Sequence, residues 1–259
     1  MLKILGLIAG VLAGACGGLL GVGGGAVMVP FMVDILKFEQ HRAHGTSLVA
    51  VVFTGMAGAA TYAYHGSVDL TASAVLAVTA VATAHFGARL AGALPEWKLK
   101  KSFGIFIILA SVLLLAKPYL FMFKMDIPGL WSKTILLLGS GMLTGLLSGL
   151  MGGGGGIVMV PVLVLALGFD QHLAQGTSLL VMVPAGSVGA WTHWKLGNVE
   201  SRLLAWIVPG LFLGAYLGAS IAHLLHEGML RIAFSLVLTW TGIRYLRAPV
   251  PAKPLTQTT

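Results

Sequence analysis

Two hydroxyl pairs and two glycine runs are the residues of this chain best suited to chemistry. Thr46-Ser47 and Thr177-Ser178 each follow a glycine, and Gly23-Gly24-Gly25 and Gly154-Gly155-Gly156 each open a short apolar stretch containing a proline. Glycine costs about 1 kcal/mol relative to alanine inside a helix, so three in a row predict unwound backbone. Free amides ahead of a helix, at the positive end of its dipole, suit an anion. Thr or Ser at a helix start caps the free N–H groups, and inside a cavity the same hydroxyl donates to an oxyanion. Both uses remain open at this point. Gly21 to Ala26 formally fits the dinucleotide pattern G-x-G-x-x-A, which requires a preceding strand, but a long apolar segment stands there instead. No G-x-x-x-x-G-K-[ST] loop is present, so nothing supports ATP-driven transport by this chain.

Histidine supplies the other candidates. His41 and His172 recur in equivalent connections, where they serve as ligands or proton carriers or are simply solvated. His85 and Arg89 lie four apart on one helical face, fit for a proton path or for attracting an anion. Against this, Arg89 stands six residues before Pro95 and can snorkel to the interface, and Asp34 near the end of its segment is similar. The eight histidines show no metal-ligand spacing beside acidic or thiol partners. No metal or cofactor is therefore expected.

The elements that must position these groups follow from composition. Of 259 residues, 57% are hydrophobic and 9% charged, whereas an ordinary soluble domain carries roughly 25% charged residues. Apolar runs such as Leu2 to Leu20 and Ser201 to Leu225 have the length, about 18 residues or more, that a helix needs to cross roughly 30 Å of hydrocarbon. The net charge of +8 sits between these runs, which reads as membrane topology rather than a nucleic-acid patch. Cys16, the single cysteine, lies within an apolar run and reads as packing. Met1 to Ala15, with Lys3 ahead of an apolar run, reads like a signal peptide and Ala13 to Cys16 like a lipoprotein cleavage box, but the same pattern recurs mid-chain, where no cleavage site would make sense.

That recurrence is a duplication. At an offset of 131 residues, Gly18 to Pro30 meets Gly149 to Pro161 with ten of thirteen positions identical, and Gln40 to Leu48 meets Gln171 to Leu179 with seven of nine. Gly66-Ser67-Val68-Asp69 likewise meets Gly197-Asn198-Val199-Glu200. The counterparts of His85 and Arg89 are Tyr216 and Ser220, so that pair is not duplicated. The chain divides into a first repeat over 1–120, a linker over 121–133, a second repeat over 134–248 and a tail over 249–259.

Each repeat holds five apolar segments, in the first about 2–20, 26–36, 46–64, 70–94 and 102–120. The predicted fold is thus an all-α integral membrane protein of two repeats, with glycine-broken second segments of roughly half the hydrocarbon depth. Five is odd, so if every segment crosses, the repeats are inverted. Lys and Arg collect on the cytoplasmic side, and twelve of the sixteen fall on the side of the N-terminus. Both termini are expected in the cytoplasm. If the first two segments of each repeat form a re-entrant hairpin, every later connection keeps its side, so ten crossings and six with two hairpins fit equally.

The duplicated G-x-G-G-G-x-x-x-x-P element, each copy followed by A-x-G-T-S-L at Ala43 to Leu48 and Ala174 to Leu179, resembles the TauE/SafE family of sulfite exporters. Ala88-Arg89-Leu90 followed by Leu94-Pro95-Glu96 is similar to that family's helix-then-loop pattern. The resemblance implies a multi-pass permease of the cytoplasmic membrane, not an enzyme, carrying a small sulfur-containing anion such as sulfite, sulfoacetate, thiosulfate or another organosulfonate. Alternatives are an anion channel and, further off, a membrane-embedded enzyme. Partners are the anion and the bilayer, with room for a proton or sodium as coupling ion and for a homo-oligomer, and no nucleic acid. An interior-negative potential favours anion efflux by about 2.3 kcal/mol per charge per 100 mV, so uptake would need the coupling ion. The expected site lies between the repeats, from Gly23, Gly24, Gly25, Thr46 and Ser47 with Gly154, Gly155, Gly156, Thr177 and Ser178.

Overall fold

The computed structural model describes residues 2–90, 96–119, 130–151 and 155–247. Ten α-helices occur among them and no strand, as expected where backbone polar groups must be satisfied without water. In the first half these are α1 (Leu2–Leu20), α2 (Gly25–Pro30), α3 (Gln40–Tyr64), α4 (Leu70–Leu90) and α5 (Glu96–Ala116). In the second they are α6 (Leu130–Met151), α7 (Gly156–Leu165), α8 (Gln171–Lys195), α9 (Ser201–Leu224) and α10 (Glu227–Leu246). The predicted linker over 121–133 therefore has its last four residues inside α6, and the predicted tail lies outside the described residues. Among the described residues, six helices, α1, α3, α4, α6, α8 and α9, are long and apolar enough to cross a membrane.

Each short second helix starts where a glycine turns the chain back on itself. Gly24 and Gly155 precede α2 and α7 with φ of 75°, a left-handed conformation that glycine alone adopts freely. Both helices contain a proline, Pro30 and Pro161. Proline removes one N–H from the helical ladder. After Pro30 the chain widens into a π-helical turn, Phe31–Ile35, with Leu36 N–H bonded to Phe31 O at 3.2 Å.

Equivalent helices make equivalent contacts, and the largest of these cross between halves. The first helix of each half packs on the fourth helix of the other, α1 on α9 and α6 on α4. The third helices, α3 and α8, pair at the centre, and α5 pairs with α10. The glycines at 10, 14 and 18 of α1 and 210, 214 and 218 of α9 make their seam. A methyl group at any of them would run into the opposite helix's backbone, for instance Val11 O from Gly214 and Ala15 O from Gly218. Such small-xxx-small contact replaces the hydrophobic drive that lipid does not supply. Large apolar side chains such as Leu12, Val78, Leu109, Leu213 and Leu236 point outward on the remaining faces, the surface a bilayer would cover.

The G-x-V-[DE] turns owe their pattern to geometry. Gly66 and Gly197, at φ 71° and 73°, end α3 and α8, and the next residues, Ser67 and Asn198, donate back to Tyr62 O and His193 O at 2.9 Å. Asp69 then caps α4, its Oδ1 accepting from Ala72 N–H at 2.9 Å. Glu200 instead meets Arg42 at 3.5 Å, a bond between the halves.

Candidate anion site between the glycine turns

The two glycine elements meet at the middle of the molecule. A methyl group at Gly156 would strike Gly21 O and the Cα of Val22, and one at Gly21 would come within 2.7 Å of the Cα of Gln175. Gly23 and Gly156 both face Met182, whose thioether stands between the turns. All residues from Gly21 to Ala26, and Gly155 to Ile157, are buried. Gly24 O accepts from Val27 and Met28, and Gly155 O from Val158 and Met159. The amides of Gly25 and Ala26, and of Gly156 and Ile157, find no acceptor among the described residues. Gly154 lies outside the described residues.

The hydroxyl pairs require a correction. They were expected at the starts of long helices, but α3 begins at Gln40 and α8 at Gln171, so Thr46, Ser47, Thr177 and Ser178 lie almost two turns inside. The polar Gln40 to Gly45 stretch masked the true start, because its amides are satisfied in a helix whether or not its side chains are apolar. Asp170 does the capping of α8, its Oδ1 accepting from Leu173 N–H at 2.8 Å. The threonines have another partner. Thr46 Oγ1 accepts from Glu200 N–H at 2.9 Å and Thr177 Oγ1 from Asp69 N–H at 3.0 Å, so each clamps the turn of the opposite half. Ser178 donates to Gly21 O at 2.9 Å and fixes the first glycine turn from the second half, while Ser47 donates to His44 O.

Several residues that sequence reasoning passed over line this region. Gln175 is fully buried, with Oε1 accepting from Tyr62 Oη at 2.8 Å and Nε2 unpartnered. Thr144 Oγ1, on the residue against which Gly155 packs, is also buried and unpartnered, and Thr54 Oγ1 lies beside Gly24. The only signal for Gln175 was its place as the variable residue of A-x-G-T-S-L, where the first copy has His44.

The other candidates lie at the two ends of the bundle. His41 is exposed, and His172 bonds Ala222 O at 3.0 Å in a cluster with His223 and, stacked on it at 4.0 Å, His65. His85 Nδ1 meets Thr192 Oγ1 at 3.1 Å, and Arg89 is exposed at the end of α4. Asp34 pairs with Arg244. Near the α8 start, Lys117 Nζ donates to Phe169 O at 3.2 Å, and burial holds its pKa below the usual lysine value against the opposing pull of Glu227.

Comparison with known proteins adds the class. The chain is 25% identical to the probable membrane transporter protein YunE of Bacillus subtilis, over 93% of this chain and 96% of that protein. It is 28% identical to the probable membrane transporter protein MJ0441 of Methanocaldococcus jannaschii, over 92% of each. A probable membrane transporter protein of Haemophilus influenzae is 28% identical over 93% of this chain and 96% of its own length. No solved structure gives a significant match. The model of the sulfite exporter TauE/SafE family matches residues 5–245, nearly the whole described bundle, and the chain belongs to that family of membrane transporters.

Proposed function

We propose that this protein is a secondary carrier of a small sulfur-containing anion, such as sulfite, sulfoacetate, thiosulfate or another organosulfonate, bound where the two glycine turns meet. One observation carries the reading: Gly156 packs against Gly21 and Val22 beside the unpartnered, buried Nε2 of Gln175. Neutral donors gathered in a low-dielectric site replace an anion's hydration without a buried positive charge. The amides of Gly25, Ala26, Gly156 and Ile157, which find no acceptor among the described residues, are the first ligands, together with Gly23, Gly24, Gly154 and Gly155 of the turns, and Gln175 is a further one. Thr46 and Thr177 accept bonds through oxygen, which leaves their own protons for the anion or its waters. Ser47 and Ser178 hold the surrounding backbone. Met182, flexible and polarizable, fills the space between the turns and moves aside for the ligand.

Transport follows by alternating access of two inverted halves with both termini in the cytoplasm. The exchange of first and fourth helices between halves supports this, since a swap of equivalent contacts is what a two-fold relation produces. Lys3 and Lys195, both on the predicted cytoplasmic side, lie over the rings of Trp206 and Trp191, as interfacial anchors do. The direction of transport depends on whether a proton or sodium is coupled. His41, His172, His85 and Arg89 sit at the ends of the bundle, where a proton or anion would pass.

The test is binding followed by flux. Sulfite, thiosulfate, sulfoacetate and methanesulfonate are screened for thermal stabilisation of the purified protein, because ligands selective for the native state raise its melting point. Saturable counterflow of the best ligand in liposomes is expected. Stabilisation by none of the four, or a flux that never saturates, would overturn the carrier reading. Reporter fusions at Lys124 and Thr259 should report opposite sides of the membrane.

A further inference from the structure

Gln171 and Gln175 stand four residues apart on α8 and therefore one above the other on the same helical face. Both are wholly buried. With Oε1 of Gln175 taken by Tyr62, its Nε2 has no partner, and Gln171 has none at either Nε2 or Oε1. Nearly all buried side-chain amides in native proteins are hydrogen-bonded, because leaving one unpaired forfeits its hydration without return. Three unpaired atoms in adjacent turns of one face therefore call for a partner from outside the chain. The row also has a direction. Asp170, next to Gln171, is exposed at the start of α8, whereas Gln175 packs on Gly21. Charge at the rim is balanced, with Lys117 and Arg231 against Asp170 and Glu227, so the rim gives no net pull.

We infer that Gln171, with Gln175 shared between the two positions, forms a second, amide-lined anion subsite on the route between the α8 start and the glycine turns. This rests on the proposed function for the identity of the anion and adds a position to it. The Nε2 groups of both residues donate to the anion's oxygens, and Oε1 of Gln171 accepts from a substrate hydroxyl or from a water that enters with the anion. The first half does not repeat the row, since His44 stands where Gln175 does.

The experiment uses Gln171→Leu and Gln171→Met in the full chain, with the best-stabilising anion of the four-compound screen as probe. An apolar side chain of similar size removes the unpaired amide, so the ligand-free variants should melt at or above the wild-type temperature. The anion-induced rise in melting point should shrink, and calorimetric affinity should fall at least tenfold. A variant that melts lower without ligand yet binds the anion with wild-type affinity would overturn the subsite and assign Gln171 to a structural water. Failure of the wild type itself to bind any of the four anions would instead overturn the proposed function, so the two failures are distinguishable. If the leucine variant does not fold, Gln171→Met carries the same readings, and loss of folding in both would also count against a subsite.

Discussion

The α1–α9 seam and the α6–α4 seam hold equivalent helices together by different chemistry. In the first, glycines face glycines, and the backbones touch directly. In the second, Gly141, Gly145 and Gly149 of α6 face α4, where Thr79 and Thr83 stand at the positions of Gly210 and Gly214. These threonines donate across the seam to Leu138 O and Met142 O, each at 2.9 Å. A close helix approach thus does not need glycine at every crossing: α4 keeps it at Gly87, which packs on Leu146 O, and is free to add a latch at the other two positions. The centre differs between halves as well, with Gln175 bonded to Tyr62 in one row and His44 and His193 at the equivalent positions in the other.

The sharpest way to break this comparison is to fill the glycine seam. Gly214→Val would drive its side chain into Val11 O, and overpacking of this kind costs about 3 kcal/mol or prevents folding. Thermal unfolding in detergent should show a large drop or no monodisperse protein; wild-type melting would mean that the seam is looser than described. The central difference is tested by Gln175→Leu against His44→Leu. A lost bond to a charged ligand is worth about 1.5–3 kcal/mol, so calorimetry should show anion affinity down roughly ten- to a hundredfold for Gln175→Leu. Equal losses in both variants would erase the distinction between the rows.

Where the halves agree, they should fail alike. Thr46→Val and Thr177→Val each remove the acceptor for the opposite turn's N–H, at a cost of about 1 kcal/mol in stability, and unequal melting shifts would show that the two clamps are not equivalent. Smallest is the threonine latch. Interhelical side-chain bonds in membranes average about 0.6 kcal/mol, so Thr83→Val should lower the melting point only slightly. An effect as large as that of Gly214→Val would make the latch, not the close approach, the main support of its seam.

Much of this was legible in the chain. Hydrophobic runs set the helices, since a long, uniformly apolar segment in a bilayer can satisfy its backbone only as a helix, and the 131-residue offset located each counterpart. The glycine turns were legible because consecutive glycines have few other uses. The start of α3 was not, since Gln40 to Gly45 is polar and a hydropathy pattern cannot mark a helix that begins outside the apolar region. Nor were Gln175, Thr144 and Met182, because one buried side chain on a helix of mixed composition looks like any other until its neighbours are known. The exchange of first and fourth helices could not be read either. Glycine spacing marks a seam without naming the partner.

That exchange sets a schedule for biogenesis. Gly145 on α6 is synthesised about 60 residues after Thr83 on α4, so its partner is already in place. Gly14 on α1 waits some 200 residues for Gly214 on α9, or ten to forty seconds at roughly 5–20 residues per second. During that interval the glycine stripe of α1 has no α9 to pack on, and the first half is made without the helix that completes its own seam.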